Sequence, residues 1–151
     1  MARYAIDAKT LVQIVAEGLP VHAGHQLVSA GWVRSEALSL LFEDVARGRL
    51  PEGEALRLHE RLTEVKLRLL GDRVSRRAAW IMARDHGWGR THEAEYIAVA
   101  ELQADALVTI DPKLAEMAVG LVPLAPMEAL SRPPEPGDVT GDRARSAGPW
   151  S

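Results

Sequence analysis

The period of the apolar positions changes repeatedly along the chain, and each change marks the edge of an expected strand or helix. Tyr4-Ala5-Ile6 is a short apolar run closed by Asp7, and from Thr10 to Glu17 the residues Leu11, Ile14 and Val15 share one helical face before Gly18-Leu19-Pro20 ends it. Between Val33 and Gly48, Leu38, Leu41, Phe42 and Val45 fall at the i, i+3, i+4, i+7 spacing of an amphipathic helix, with Glu36 in its first turns. Pro51 opens another short helix. Val65 to Leu69 alternates apolar and basic residues as a half-exposed strand does, although Glu54 to Leu70 also reads as one helix; Gly71-Asp72 is the turn that follows. Val74, Ala78 and Ile81 mark a helical face from Arg73 to His86, Gly87-Trp88-Gly89 interrupts it, and Thr91 stands as N-cap of a helix from His92 to Gln103. Ala106 to Ile110 reads as a buried strand running into Asp111, Pro112 starts the next helix, and Leu121-Val122-Pro123-Leu124 reads as a last edge strand.

Strand and helix alternate throughout, which predicts an α/β fold with a central, mostly parallel sheet flanked by helices. One domain is expected over residues 1–130. From Ser131 the composition shifts to Pro, Gly, Asp, Arg and Ser, and the tail 131–151 is expected to be disordered.

Composition narrows the chemistry. The chain has 151 residues, 47% of them hydrophobic, enough for one core, and it contains no apolar run of membrane-spanning length. The opening residues carry Asp7 where a signal peptide needs an uninterrupted apolar run, so a cytoplasmic protein is expected. With no cysteine, the chain excludes disulfides, zinc thiolates, iron-sulfur clusters and thiol nucleophiles, leaving oxygen and nitrogen ligands. A net charge of −3 argues against gripping nucleic acid by bulk electrostatics, so any RNA is held locally, with Arg73, Arg76, Arg77 and Arg84 as candidate contacts on one helix.

Ligand sites in parallel sheets lie beyond the carboxyl ends of the strands, where both Asp7 and Asp111 fall. Glu93 and Glu36, each early in a helix beside an apolar segment, are the other acids placed to join them. At an effective dielectric of about 20, two unit charges about 4 Å apart interact by about 4 kcal/mol, so four gathered carboxylates need a cation. Mg²⁺ or Mn²⁺, hard ions that take carboxylate and water oxygens, would fill that need and suit phosphodiester hydrolysis. Thr10 and Thr109 stand close enough to serve as supporting hydroxyls. Each acid also has a plainer reading: Asp7 and Asp111 as helix N-caps, Glu93 and Glu95 as first-turn acids favoured by the helix dipole, Glu36 as an exposed helical glutamate.

Other chemistries are set aside. His92-Glu93-Ala94-Glu95-Tyr96 starts like a zinc protease helix but has Tyr96 where the second histidine belongs. No phosphate-binding glycine loop, third glycine of a dinucleotide fingerprint, or glycine-flanked serine elbow is present. A dehalogenase-type phosphatase wants a second Asp where Lys9 stands, and a receiver domain wants acids beside Asp7 where Ala5, Ile6 and Ala8 stand. Trp32, Trp80 and Trp88 are expected to pack rather than stack on bases.

The order Tyr4-Ala5-Ile6-Asp7-Ala8-Lys9-Thr10-Leu11, Arg34-Ser35-Glu36-Ala37-Leu38, Thr91-His92-Glu93-Ala94-Glu95-Tyr96-Ile97-Ala98 and Ala106-Leu107-Val108-Thr109-Ile110-Asp111 resembles a VapC-type PIN domain across Arg3 to Leu130. That resemblance implies a PIN-like sheet-and-helix fold and an Mg²⁺- or Mn²⁺-dependent endoribonuclease, the toxin of a type II toxin-antitoxin pair. It also implies a cognate VapB-type antitoxin and a homodimer. Asp7 matches the first acid, Glu36 the helical glutamate and Asp111 the acid after the Val-Thr strand, whereas the position of Glu93 is usually aspartate and that of Lys9 usually a small residue. The alternative, carried by Glu93, is a PIN-fold binding module for an antitoxin or RNA.

Overall fold

The computed structural model describes residues 1–134. The expectation of a disordered tail therefore concerns residues that, from 135 on, lie outside the described part; Ser131 and Arg132 precede them and bond back to Pro20 and His25.

The strands are β1 (Ala2–Ile6), β2 (His25–Ala30), β3 (Arg68–Leu70), β4 (Ala106–Val108) and β5 (Leu124–Ala125). The helices are α1 (Ala8–Glu17), α2 (Val33–Ala46), α3 (Glu52–Glu64), α4 (Arg73–His86), α5 (His92–Gln103) and α6 (Pro112–Ala118), followed by a short 3-10 turn, Met127–Leu130. The five strands form one sheet in the order β3-β2-β1-β4-β5, and every pair is parallel. This is the α/β class expected and is consistent with a PIN-like fold. Parallel crossovers are right-handed, so the steps from β1 to β2 to β3 put α1, α2 and α3 on one face and the return through β4 to β5 puts α4, α5 and α6 on the other. The observed packing agrees: α1 meets α2 and α3, α4 meets α5, and α5 meets α6.

The core is mainly apolar where the layers meet. Ile6, Val28, Leu107 and Val108 fill the sheet, Leu11 and Leu62 cover one face, and Ile97 and Leu114 cover the other, each 0% to 1% exposed. The sheet crosses β1 to β2 through a side chain as well as the ladder, since Ser29 Oγ donates to the Ile6 carbonyl at 2.6 Å.

Several expected elements differ in detail. β2 was not foreseen, because His25, Gln26 and Ser29 break the apolar run; Gly24 and Gly31 bracket it. α3 ends at Glu64 and the following strand is only Arg68–Leu70, so neither the Val65–Leu69 strand nor the single long helix is found in full. On α2, apolar residues occupy two sides and only one can face inward. The buried stripe is Val33, Ala37 and Leu41, leaving Leu38 46% and Phe42 73% exposed. On α4 the buried face is Ser75, Ala79, Met82 and Ala83, one step round from Val74, Ala78 and Ile81, because small side chains let α4 approach α5. Trp32 and Trp88 pack against the core as expected, but Trp80 is exposed.

Candidate functional site

The chain winds one way from β1 through β3 and the other way from β4, so the carboxyl ends of the neighbouring strands β1 and β4 form the topological switch point where α/β sheets open a cleft. Asp7 follows β1 directly and Asp111 follows β4 after Thr109 and Ile110. The first turns of α1, α2, α5 and α6 contribute the remaining groups.

Asp7 occupies the N-cap position of α1 but makes no side-chain cap bond, so the capping explanation does not account for it. It is 3% exposed. Its Oδ1 accepts a short hydrogen bond from the Thr10 hydroxyl, which in turn accepts the Ile110 N–H at 3.1 Å. Burial raises its pKa above the ordinary value; bonds from Thr10 and Thr109 oppose the rise and the charge of Asp111 adds to it. Thr10 and Thr109 therefore both stand at the site, and Thr109 also accepts the Asp111 N–H at 3.1 Å. Among the described residues no Lys, Arg or His forms an ion pair with Asp7.

Asp111 does cap a helix: Oδ1 accepts the Lys113 N–H at 3.0 Å, while Oδ2 lies 3.4 Å from Lys9 Nζ. Glu36 accepts from the Tyr96 hydroxyl at 3.0 Å and lies 2.8 Å from His92 Nε2. Tyr96 is buried and raised in pKa, first by desolvation and then by the Glu36 charge, so its phenol keeps its proton for that bond while its oxygen accepts the Ala8 N–H at 3.2 Å. One side chain thus ties Glu36 to the residue after Asp7. Glu93 is 7% exposed, and burial alone would raise its pKa; hydrogen bonds from Arg90 at 2.7 Å and Lys113 at 3.3 Å overcome this and hold it at about 2. Glu95 accepts from Trp32 Nε1 at 3.2 Å, with the Trp32 ring centre 4.3 Å from His92. Thr91 is the N-cap residue of α5, as expected, without a side-chain cap bond.

The four acids expected at the site are linked through intermediaries: Asp7 to Asp111 through Thr109, Glu36 to the residue after Asp7 through Tyr96, and Glu93 to Asp111 through Lys113. No group of three or more His, Asp or Glu placed to hold a metal ion occurs among the described residues. The donors are of the right type for a hard cation, carboxylate and hydroxyl oxygens, and three of the four acids carry a basic partner from the protein. His92, Tyr96, Arg90 and Lys113 were not expected from sequence as partners of these acids. The spacing of His92 and Tyr96, which fails as a zinc helix, puts both donors on Glu36, and that i, i+4 pair was the available signal. Arg73, Arg76, Arg77 and Arg84 all lie exposed on α4, and Arg84 pairs with Asp85 at 3.0 Å. A separate groove of about 720 Å³ lies at the amino ends of β1 and β2, lined among others by Leu19, His22 and Leu27, and contains none of the four acids.

With the geometry in place, the comparison with solved structures supplies the fold and nothing finer. The crystal structure of PAE2754 from Pyrobaculum aerophilum matches with a TM-score of 0.65 and 22% identity, over 85% of this chain and 93% of that one. No protein-family model and no curated protein matches the sequence. No helix among the described residues is long and apolar enough to cross a membrane.

Proposed function

We propose that the cleft at the ends of β1 and β4 binds Mg²⁺ or Mn²⁺ and hydrolyses RNA phosphodiesters, in the manner of the VapC-type toxin that the sequence resembles. The observation that carries this reading is Asp7: a carboxylate 3% exposed, next to a second acid and with no ion-pair partner among the described residues. A fold does not keep a buried, desolvated acid cheaply, and the switch point is where such a cost is offset by a ligand. Asp7, Asp111, Glu36 and Glu93 are the groups that would hold the cation. When bound there it would supply Lewis acidity to a phosphoryl oxygen and to the attacking water. Thr10 orients Asp7, and Tyr96 orients Glu36 while keeping its own proton. Action on cellular RNA in the cytoplasm, inhibition by a VapB-type antitoxin and homodimerisation complete the proposal.

A second reading, a PIN-fold binding module that associates with an antitoxin or RNA without turnover, has its own support. Lys9, Arg90, Lys113 and His92 already sit on three of the four acids. Cleavage of total RNA by the purified protein in Mn²⁺ or Mg²⁺ separates the two, with Asp7→Asn and Glu93→Asp run beside it at matched circular dichroism. Hydrolysis predicts metal-dependent cutting that falls by at least about 100-fold in Asp7→Asn, as loss of a ligand demands. Faster cutting by Glu93→Asp would show that the longer side chain attenuates the enzyme. No cutting by wild type or by Glu93→Asp, with both folded and free of antitoxin, would count against general nuclease activity and favour the binding module or a very narrow RNA target.

A further inference from the structure

An arc of alternating charge runs along one side of the cleft. Lys9 Nζ lies 3.4 Å from Asp111 Oδ2, and Asp111 Oδ1 accepts the Lys113 backbone N–H. Lys113 Nζ lies 3.3 Å from Glu93 Oε1, which also accepts from Arg90 Nη2 at 2.7 Å. The sequence of groups along this side is cation, acid, cation, acid, cation, three cations over two acids. The two signs also differ in depth. The side chains of Asp111 and Glu93 are 19% and 9% exposed, whereas those of Lys9, Arg90 and Lys113 are 50%, 65% and 66% exposed.

All three basic side chains are at least half exposed, and the open Lys9–Asp111 pair contributes little to stability, so three cations here exceed what the fold itself calls for. Their donors are also far from used up. Arg90 donates through Nε and Nη2 to Glu93, out of five N–H groups, and each lysine ammonium has three. A guanidinium fork matches a phosphate's paired oxygens, and an ammonium meets it as a point charge. With a net charge of −3 the chain lacks long-range attraction for RNA, so a short positive rim beside the acids must do the holding.

We propose that Lys9, Arg90 and Lys113 are the phosphate-binding groups of this cleft, with Asp111 and Glu93 beneath them holding the three side chains ready for the backbone of an RNA strand. The proposal rests on the reading of RNA as substrate, but concerns binding rather than cutting. It replaces the four α4 arginines as the expected RNA contacts, and those arginines are the rival surface.

Fluorescence anisotropy of a short labelled single-stranded RNA, titrated in EDTA and in Ca²⁺ across a range of salt, tests it. The variant carrying Lys9→Gln, Arg90→Gln and Lys113→Gln should bind at least about 10-fold more weakly, and the slope of log affinity against log salt should flatten by about 2, since each single-strand phosphate contact contributes about 0.7. Should the triple variant be unstable, Lys9→Gln alone, at an exposed position, should flatten the slope by about 0.7. Unchanged affinity and slope in both overturns the assignment, as does a loss confined to a variant with Arg73, Arg76, Arg77 and Arg84 changed to Gln. A wild type that binds no RNA in either medium overturns the RNA reading and this assignment together. RNA bound through the arc but never cut leaves the arc standing and refutes only hydrolysis.

Discussion

Asp7 and Glu93 are two carboxylates on the elements around the carboxyl ends of β1 and β4, 3% and 7% exposed, yet their acidities move in opposite directions. Burial raises the pKa of Asp7, and only neutral groups oppose it: the Thr10 and Thr109 hydroxyls and its own backbone N–H. Burial pushes Glu93 the same way, but Arg90 and Lys113 override it and hold the group at about 2. Depth alone therefore says nothing about the charge state of an acid; the partner decides it. The difference separates the cleft into an end where the protein supplies its own cation and an end where it supplies none.

The largest effect should come from making the Glu93 end resemble the Asp7 end. Arg90→Ala with Lys113→Ala leaves a buried carboxylate without a cation, and should cost about 2–3 kcal/mol, less than for a fully buried pair because both cations are exposed. Carboxyl ¹³C titration should show the Glu93 pKa move from about 2 towards or above its ordinary 4.5. Because the folded pKa of Glu93 lies below that ordinary value, its ion pairing stabilises the wild type in full above about pH 4.5 and is lost as the pH falls towards 2. The stability gap between wild type and the double variant should therefore close over that window in urea titrations, and a gap that persists to pH 2 would mean the cations act through something other than Glu93.

A smaller effect sharpens the Asp7 end. Thr10→Ala removes the hydroxyl that donates to Asp7 and accepts from Ile110, so both are left short of a partner. Urea unfolding should show a loss of about 1–3 kcal/mol, with the Asp7 pKa rising further and Thr10→Ser restoring both. Equal stability in Thr10→Ala and wild type would show that Asp7 does not depend on this bond.

How much of this was legible in the sequence follows from what each signal depends on. Asp7 and Asp111 were readable because a strand that ends in an acid fixes where the acid goes once the sheet is parallel. β2 was not, since His25, Gln26 and Ser29 are polar and its burial comes from β1 and β3 on either side. The orientations of α2 and α4 were misread for a related reason: Phe42 and Val74 are more apolar than Ala37 and Ala79, but close packing selected the smaller residues. At the site, the acids were visible and their partners were not: Lys113 and Tyr96 reach Glu93 and Glu36 from other elements and only the folded chain brings them together, whereas Arg90, three residues before Glu93, was within reach of a sequence reading.

The account turns on Asp7 lacking a cation that a divalent ion would provide, and melting temperature in EDTA and in Mn²⁺ tests this most directly. Since the folded pKa of Asp7 is above 3.8, its contribution favours folding only below that pH and is lost as the pH rises through the folded value, leaving the ionised group a net cost at pH 7. Asp7→Asn should therefore melt roughly 2–4 °C above wild type in EDTA, about what 1 kcal/mol is worth at this size. Mn²⁺ at about 100 times its Kd should add about 2.7 kcal/mol to wild type and much less to the variant, reversing the order. Wild type melting below Asp7→Asn in both media, or above it in EDTA, would contradict the account.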